Sequence, residues 1–178
     1  MKTMIRVLLA VSMLGWGCGA AFAQSLEVSG GYSFQFVNPA LGSGLSLNGW
    51  AAGAELSLPK LPLLSHFSLA ADFNGTYGKQ DGVKLHQYTY LAGPRFSQKL
   101  WRLRIFEDAL LGNAHLSAKL GRMSDSTSSL AAEAGVGADI KLTRHFSLRP
   151  IQADYLITTH AQHIQNNFRY SSAVVWRF

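Results

Sequence analysis

The sequence predicts an all-β fold, an eight-stranded antiparallel up-and-down transmembrane β-barrel. Three observations predict it: apolar and polar residues alternate in eight segments, most of these are about ten residues or longer, and short connections alternate with polar ones. Soluble strands usually run about five or six residues, whereas a strand tilted across a bilayer needs about 9–11. The strand length therefore favours a barrel that crosses a membrane.

The composition limits the class of protein. The chain has 178 residues, a formal charge of +6, 48% hydrophobic residues and 15% charged residues, and this length suits one domain. Disordered chains are rich in charge and poor in aromatic residues. Beyond the N-terminus, no apolar run approaches the roughly 18 residues of a membrane-spanning helix. Disorder and a helical membrane protein are both disfavoured.

The first 23 residues predict a secretory signal peptide. Lys2 and Arg6 supply its positive start, residues 7–16 its apolar centre, and Ala21 and Ala23 the small residues of a cleavage site before Gln24. The apolar stretch is too short for a transmembrane anchor. Residues 24–178 are then expected to form the barrel domain.

The one cysteine, Cys18, lies inside this signal peptide. Lipidation there is a minor alternative, because Gly15 and Trp16 do not fit a lipoprotein signal. Cleavage would leave no cysteine, which excludes disulfides and thiolate chemistry. It would also lower the charge from +6 to +4 by removing Lys2 and Arg6, which weakens any argument for a nucleic-acid partner.

The first four alternating segments are 26–36, 45–58, 67–77 and 84–97. Each places apolar and aromatic residues on one face and polar residues on the other. The fifth, 102–115, is the least regular, because Glu107 shares the apolar face with Leu103 and Leu111. A shift of one residue there would exchange its two faces.

The sixth and seventh segments are 130–142 and 147–158. A helix is an alternative for the start of the sixth, but Gly135 and Gly137 on alternate positions favour a strand. The eighth runs to the last residue. The connections after the second, fourth and sixth strands are short, whereas the longest polar one is Ser117–Ser129. This asymmetry is typical of outer-membrane barrels.

A closed barrel in hydrocarbon pairs every backbone group and turns its apolar face outward. The aromatic residues predicted to face outward are Tyr32, Trp50, Tyr77, Tyr88, Tyr90, Tyr155, Tyr170, Trp176 and Phe178. The charged residues predicted to face inward are Glu27, Glu55, Asp72, Arg95, Glu133, Asp139, Lys141, Asp154, Arg169 and Arg177. We expect interior acid–base pairs among Glu133, Asp139, Lys141, Asp154, Arg169 and Arg177, for example between Asp154 and Arg169, because buried charges must be paired or solvated. Such pairs predict a polar plug, with a conducting pore as the alternative.

A basic set lies near the short turns: Lys60, Lys99, Arg102, Arg104, Arg144 and Arg149. We expect these cations to lie at the membrane boundary, facing lipid headgroups.

No catalytic, cofactor or metal site is predicted. His66 with Ser68, and His145 with Ser147, have the spacing of a nucleophile and its base, but they follow short turns at the predicted periplasmic side. His160 and His163 would need further ligands to hold a metal, and nothing in the sequence brings His86 or His115 to them.

The terminal strand carries a family resemblance. Its alternate residues are Phe168, Tyr170, Ser172, Val174, Trp176 and Phe178. With the strand from Arg149 to Tyr155 before it, the chain resembles small outer-membrane barrels of the OmpA/OmpX type over residues 24–178. In such proteins a C-terminal Phe with alternate apolar residues resembles the signal read by the barrel-assembly machinery; Phe168, Tyr170, Val174, Trp176 and Phe178 match it, and Ser172 departs from it.

The resemblance implies an integral protein of the bacterial outer membrane. Its implied partners are outer-membrane lipids, with the barrel-assembly machinery and periplasmic chaperones during biogenesis. We expect a monomer, no nucleic-acid partner and no catalysis, with a role in envelope integrity or surface contact. The alternatives are a narrow channel for ions or small solutes, a lipid-modifying enzyme, and a soluble secreted barrel with an apolar ligand inside.

Overall fold

The computed structural model describes residues 26–38, 45–58, 66–80, 83–120, 123–160 and 163–178. The predicted signal peptide and the connection at 59–65 lie outside these residues. None of the described residues forms a helix long and apolar enough to cross a membrane.

Eight strands form the described chain, which confirms the predicted fold class. They are β1 (Leu26–Asn38), β2 (Leu45–Ser57), β3 (Phe67–Gln80), β4 (Val83–Leu100), β5 (Leu103–Leu120), β6 (Met123–Lys141), β7 (Phe146–His160) and β8 (His163–Arg177). Every strand is antiparallel to its neighbours, and β1 pairs with β8 to close the barrel.

The strands are staggered as closure requires. A path that starts at Val28 and steps from each residue to its paired partner on the next strand passes through β2 to β8. It returns to β1 at Asn38, ten residues further along the chain. A closed sheet needs such a stagger, and the strands tilt by about 35–45° as a result.

Polar residues fill the inside of the barrel and apolar residues cover the outside. Among the described residues, 24 buried side chains are polar or charged and 11 are hydrophobic. The exposed side includes Leu111, Val136 and Val174, each at least half exposed. This distribution suits hydrocarbon around the barrel and is the reverse of a soluble barrel with an apolar interior.

The outward positions predicted for the aromatic residues are confirmed. Tyr32, Tyr90 and Tyr170 are exposed, as are Trp176 and Phe178 at the other end of the barrel. Toward the ends away from the short turns, Trp50 Nε1 donates to the Tyr77 hydroxyl at 3.2 Å. Aromatic side chains with a polar tip are stable where hydrocarbon meets water.

Segment 102–115 has the predicted register. Leu103 and Leu111 are exposed on the outward face, and Glu107 lies between them on the same face. Glu107 is paired in register with Phe96 of β4 and Val136 of β6. The barrel therefore carries one carboxyl group on its apolar outer surface, within the described residues.

The predicted loop Ser117–Ser129 is wrong, because β5 and β6 continue through most of it. Ser117 pairs with Ser126, and the ladder ends only at the pair of Leu120 and Met123. Apart from Leu120 and Met123, the residues of this extension are polar or small, so its strands lack the apolar alternation that marks a half-buried strand.

An irregularity in β7 changes the direction of one arginine. The register of β7 against β8 shifts between Arg149 and Gln152, so Arg149 and Gln152 both point inward while Pro150 and Ile151 are exposed. An extra residue in one strand re-aims the side chains beyond it. Without the bulge, Arg149 would share the outward face of Ile151.

The turn between β4 and β5 holds a strained residue. Trp101 and Arg102 connect the pair of Leu100 and Leu103, and Trp101 has a φ of 57°. Two-residue hairpin turns that need a positive φ usually place Gly or Asn there. We call the end of the barrel with this turn the short-turn end; it also holds Leu26 and Phe178.

Candidate functional site

The main chemical feature of the described chain is a charged cluster inside the short-turn half, here called the Arg104 network. It contains Glu27, Glu55, Arg95, Arg104, Asp108, Asp139, Arg149 and Arg177. Arg104 lies at its centre and contacts three carboxylates, with Nη2 at 2.7 Å from Glu27 and 2.6 Å from Asp139, and Nη1 at 3.1 Å from Glu55. These bonds join four strands, so the network crosses the barrel.

The other arginines extend the network around the wall. Arg95 donates to Asp108 through Nε at 2.9 Å and Nη2 at 2.6 Å. Arg149 donates to Asp139 through Nε at 2.7 Å, and Arg177 donates to Glu27 at 2.6 Å across the β1–β8 seam. Paired and hydrogen-bonded charges of this kind tolerate burial.

The ring of Phe106 separates two of these guanidinium groups. Arg95 lies 4.2 Å and Arg149 4.3 Å from its centroid. Phe106 points inward and is 1% exposed. A cation over an aromatic face is stabilised by the ring quadrupole, so this apolar side chain belongs to the charged interior.

Above the network lies a second group, here called the Arg169 cluster, with Asp72, Glu133 and Asp154. Arg169 is 1% exposed. Its Nη2 donates to both oxygens of Glu133 at 2.7 and 2.6 Å, and its Nε donates to Asp154 at 3.0 Å. Asp72 lies 3.6 Å from the same guanidinium. One cation therefore serves three carboxylates.

Carboxylates outnumber guanidinium groups across the two clusters. The Arg104 network is balanced, with four of each, whereas the Arg169 cluster has three carboxylates for one arginine. Oxygens of Asp108, Glu133 and Asp154 lie within 4.8 Å of one another. Asp108 Oδ1 has no hydrogen-bond partner among the described residues. These three carboxylates are the described groups with the spacing of cation ligands.

The three carboxylates expected to form interior pairs all contact arginines in the structure. Glu133 and Asp154 contact Arg169, and Asp139 contacts Arg104 and Arg149 rather than Lys141. Arg177 contacts Glu27. Lys141 is exposed at the end of β6 and has no ion pair among the described residues. Its expected interior pairing is wrong, because Lys141 lies at the open end of the barrel and Asp139, two residues before it, is paired with Arg104 and Arg149.

Two expected boundary cations are also inside. Arg104 and Arg149 are 6% and 4% exposed, so the prediction that they face headgroups is wrong for both. Arg104 alternates with Leu103 and Ile105, and this pattern already points it inward. For Arg149, the bulge in β7 decides the direction, and no sequence signal announces that bulge.

The two His–Ser pairs do not form a nucleophile and its base. Ser68 faces inward and donates to Glu55 at 2.9 Å, whereas the ring of His66 packs against Phe96 at 5.7 Å. Ser147 is buried, and His145 Nδ1 lies 3.2 Å from the carbonyl oxygen of Arg177. The side chains of His160 and His163 lie outside the described residues.

Neutral side chains fill the upper half of the interior. Gln35 Nε2 donates to Gln87 at 3.1 Å across the barrel. A layer of apolar side chains lies among β3 to β7; it consists of Ala70, Leu91, Leu110, Ala114, Ala131 and Leu156. Leu91 is paired in register with Asp72, and Leu110 and Leu156 with Glu133, so this layer lies beside the Arg169 cluster and fills the lumen with it.

Solved structures of small outer-membrane barrels share the fold of this chain. No family model and no curated protein matches the chain. Among solved structures, Neisserial surface protein A superposes with a TM-score of 0.74 at 14% identity, covering 86% of this chain and 97% of that protein. Its fold is that of the small outer-membrane barrels.

Two further structures show the same barrel. Ail, the attachment invasion locus protein of Yersinia pestis, matches with a TM-score of 0.64 at 18% identity, covering 88% of this chain and 100% of Ail. The N-terminal β-barrel domain of Pseudomonas aeruginosa OprF matches with a TM-score of 0.51 at 14% identity, covering 86% of this chain and 97% of that domain. At these identities the likeness concerns the fold.

Proposed function

We propose that this protein is an integral outer-membrane barrel with a closed lumen, which acts in envelope integrity or surface contact and performs no catalysis. The filled interior carries this proposal. Arg169 and its carboxylates, the Arg104 network and the apolar layer all lie across the lumen. Eight strands enclose a space that side chains can fill.

The location is proposed from the surface and the fold together. The outside of the barrel is apolar and the strands are long enough to cross a bilayer. We infer export through the predicted signal peptide, cleavage before Gln24 and a monomer in contact with outer-membrane lipids. Cell fractionation tests the location, and the two gel mobilities of the extracted protein, with and without boiling, test closure of the barrel.

The exposed face of the last strand supports an assembly signal. Phe168, Tyr170, Val174, Trp176 and Phe178 are all 45–68% exposed on the outer surface. We propose that the barrel-assembly machinery reads these residues, after periplasmic chaperones have delivered the chain. Replacing Phe178 with Ser should lower the folded fraction in cells while leaving refolding of the purified protein in detergent unchanged.

Conductance across a planar bilayer tests the closed lumen. The purified wild-type barrel should give no steady single-channel steps. A variant with Arg104, Leu110, Leu156 and Arg169 all replaced by Ala, accepted only if its gel mobility still depends on heating, should conduct and so shows that the measurement detects an open lumen. Steady steps from the wild type would establish the channel instead.

The proposed surface contact uses the polar end of the β5–β6 hairpin, which pairs as far as Leu120 and Met123. One similar protein, Ail, is described as an attachment invasion locus protein. Binding of labelled cells that express this chain to host-cell monolayers, compared with a variant that joins residues 115 and 128 by a two-residue turn, tests this role. Lipid A that loses acyl chains on expression would show catalysis instead.

A further inference from the structure

The short-turn end opens into a polar cavity of about 290 Å³. Its lining includes Lys99, Arg104 and Arg177, together with His66 and Ser97. A smaller adjoining cavity of about 30 Å³ shares Lys99, Arg104 and Arg177 and extends to Lys141, Trp101 and Arg102. We call the two cavities together the short-turn mouth.

Positive charge at this mouth is not compensated. Glu27, Glu55 and Asp139 also line it, but all three are paired with arginines of the balanced Arg104 network. Three cations of the lining remain: Lys99, Arg102 and Lys141 are exposed and have no ion pair among the described residues. A concave site lined by one sign of charge concentrates ions of the opposite sign. The mouth therefore attracts anions.

The strained turn at its edge gives a second observation. Trp101 is 93% exposed and lies next to Arg102, whose guanidinium is 5.5 Å from its ring. The ring makes almost no contact with the rest of the protein, yet its backbone has a φ of 57°. Strain of this kind concentrates at sites that bind or switch. Trp101 is therefore better suited to a contact outside the barrel than to stabilising the turn.

We propose that the short-turn mouth is a phosphate-binding site. Lys99 and Lys141 contact the anion, Arg104 and Arg177 form the floor, and Trp101 with Arg102 forms the outer edge. A phosphate group offers several acceptor oxygens around a full negative charge, and this matches several cations that converge from different strands. The phosphate is either a free phosphate compound or the headgroup of an anionic lipid in the adjacent leaflet.

Two titrations on the refolded mature chain test the site and separate these sources. Inorganic phosphate is titrated into the barrel in zwitterionic micelles by calorimetry, at constant ionic strength set with chloride. Native mass spectrometry then counts bound phosphatidylglycerol against phosphatidylcholine. The test variant is K99Q/K141Q, and K79Q is the matched control, because Lys79 is an exposed lysine at the opposite end of β3. Heat-dependent gel mobility verifies that each variant is folded.

We expect saturable binding to the wild type in at least one titration, weakened about tenfold or more in K99Q/K141Q, as the loss of two charge-assisted contacts implies, and unchanged within about twofold in K79Q. Binding of inorganic phosphate assigns a soluble ligand, and binding of phosphatidylglycerol alone assigns a lipid headgroup. The proposal fails if neither probe binds, or if K79Q weakens binding as much as the double variant.

Discussion

Replacing Arg169 with Met tests whether the interior is held by its charges. The side chain is 1% exposed and makes charge-assisted bonds to Glu133 and Asp154, with Asp72 at 3.6 Å. Methionine keeps much of the volume but leaves three buried carboxylates without their cation. Removing one partner of a buried ion pair costs about 3–5 kcal/mol. We therefore expect R169M to lose stability of at least this order.

The measurement is equilibrium urea unfolding of the barrel in lipid vesicles, followed by gel mobility and tryptophan fluorescence. The matched control is R177M, because Arg177 is 21% exposed and its partner Glu27 keeps Arg104 at 2.7 Å; its loss should cost about 1 kcal/mol or less.

A double-mutant cycle with D154N gives the direct coupling between Asp154 and Arg169, expected at about 1–3 kcal/mol. In R169M, adding E133Q should restore part of the stability, because it removes one of the three carboxylates that R169M leaves without a cation. An R169M barrel that unfolds at the wild-type urea concentration, or zero coupling with D154N, would refute the idea that these pairs hold the interior.

Three further substitutions test single features by the same unfolding measurement. E107L should stabilise the barrel in vesicles by up to about 2 kcal/mol, because an ionisable group on the lipid face is costly; a loss of stability would place Glu107 in a contact of its own. W101G should stabilise the turn by about 1 kcal/mol, because glycine adopts a φ of 57° without strain; no gain would contradict strain at Trp101. G31A should destabilise by about 1–3 kcal/mol, because its Cβ would lie 1.9 Å from the carbonyl oxygen of Ser172, whereas G30A, with nothing within 4 Å, should be neutral; equal effects would contradict that packing.

The sequence predicts most of this fold because each strand is apolar on one side only. Alternation identifies all eight strands and the outward face of nearly every one, including the irregular segment around Glu107. The same signal fails beyond His115, where β5 and β6 carry few apolar residues in sequence and still pair as far as Leu120 and Met123. Apolar and polar residues alternate where one face of a strand contacts an apolar medium and the other does not. A hairpin with water on both sides has no such difference between its faces, so alternation does not identify it.

The interior was less predictable than the wall. Alternation shows that Glu27 and Arg104 point inward, but these two residues lie 77 positions apart and meet only across the closed barrel. Nearness to a turn suggested a headgroup role for Arg104 that its own alternation contradicts. Arg149 is a different case, because its direction depends on a bulge that begins beside Pro150. Local pattern gives the face of a residue, and the stagger of the whole barrel chooses its partner.

The bond between Arg177 and Glu27 has a consequence for how the chain matures. It joins residues 150 positions apart, at the first and last strands, and closes the seam of the barrel. Loop closure over so many residues is slow, and until it happens Glu27 lacks one of its two cations. Single hairpins entering hydrocarbon one by one would expose unpaired charges at high cost. We therefore expect insertion and closure to proceed together, with Glu27 gaining its second cation only when β8 pairs with β1.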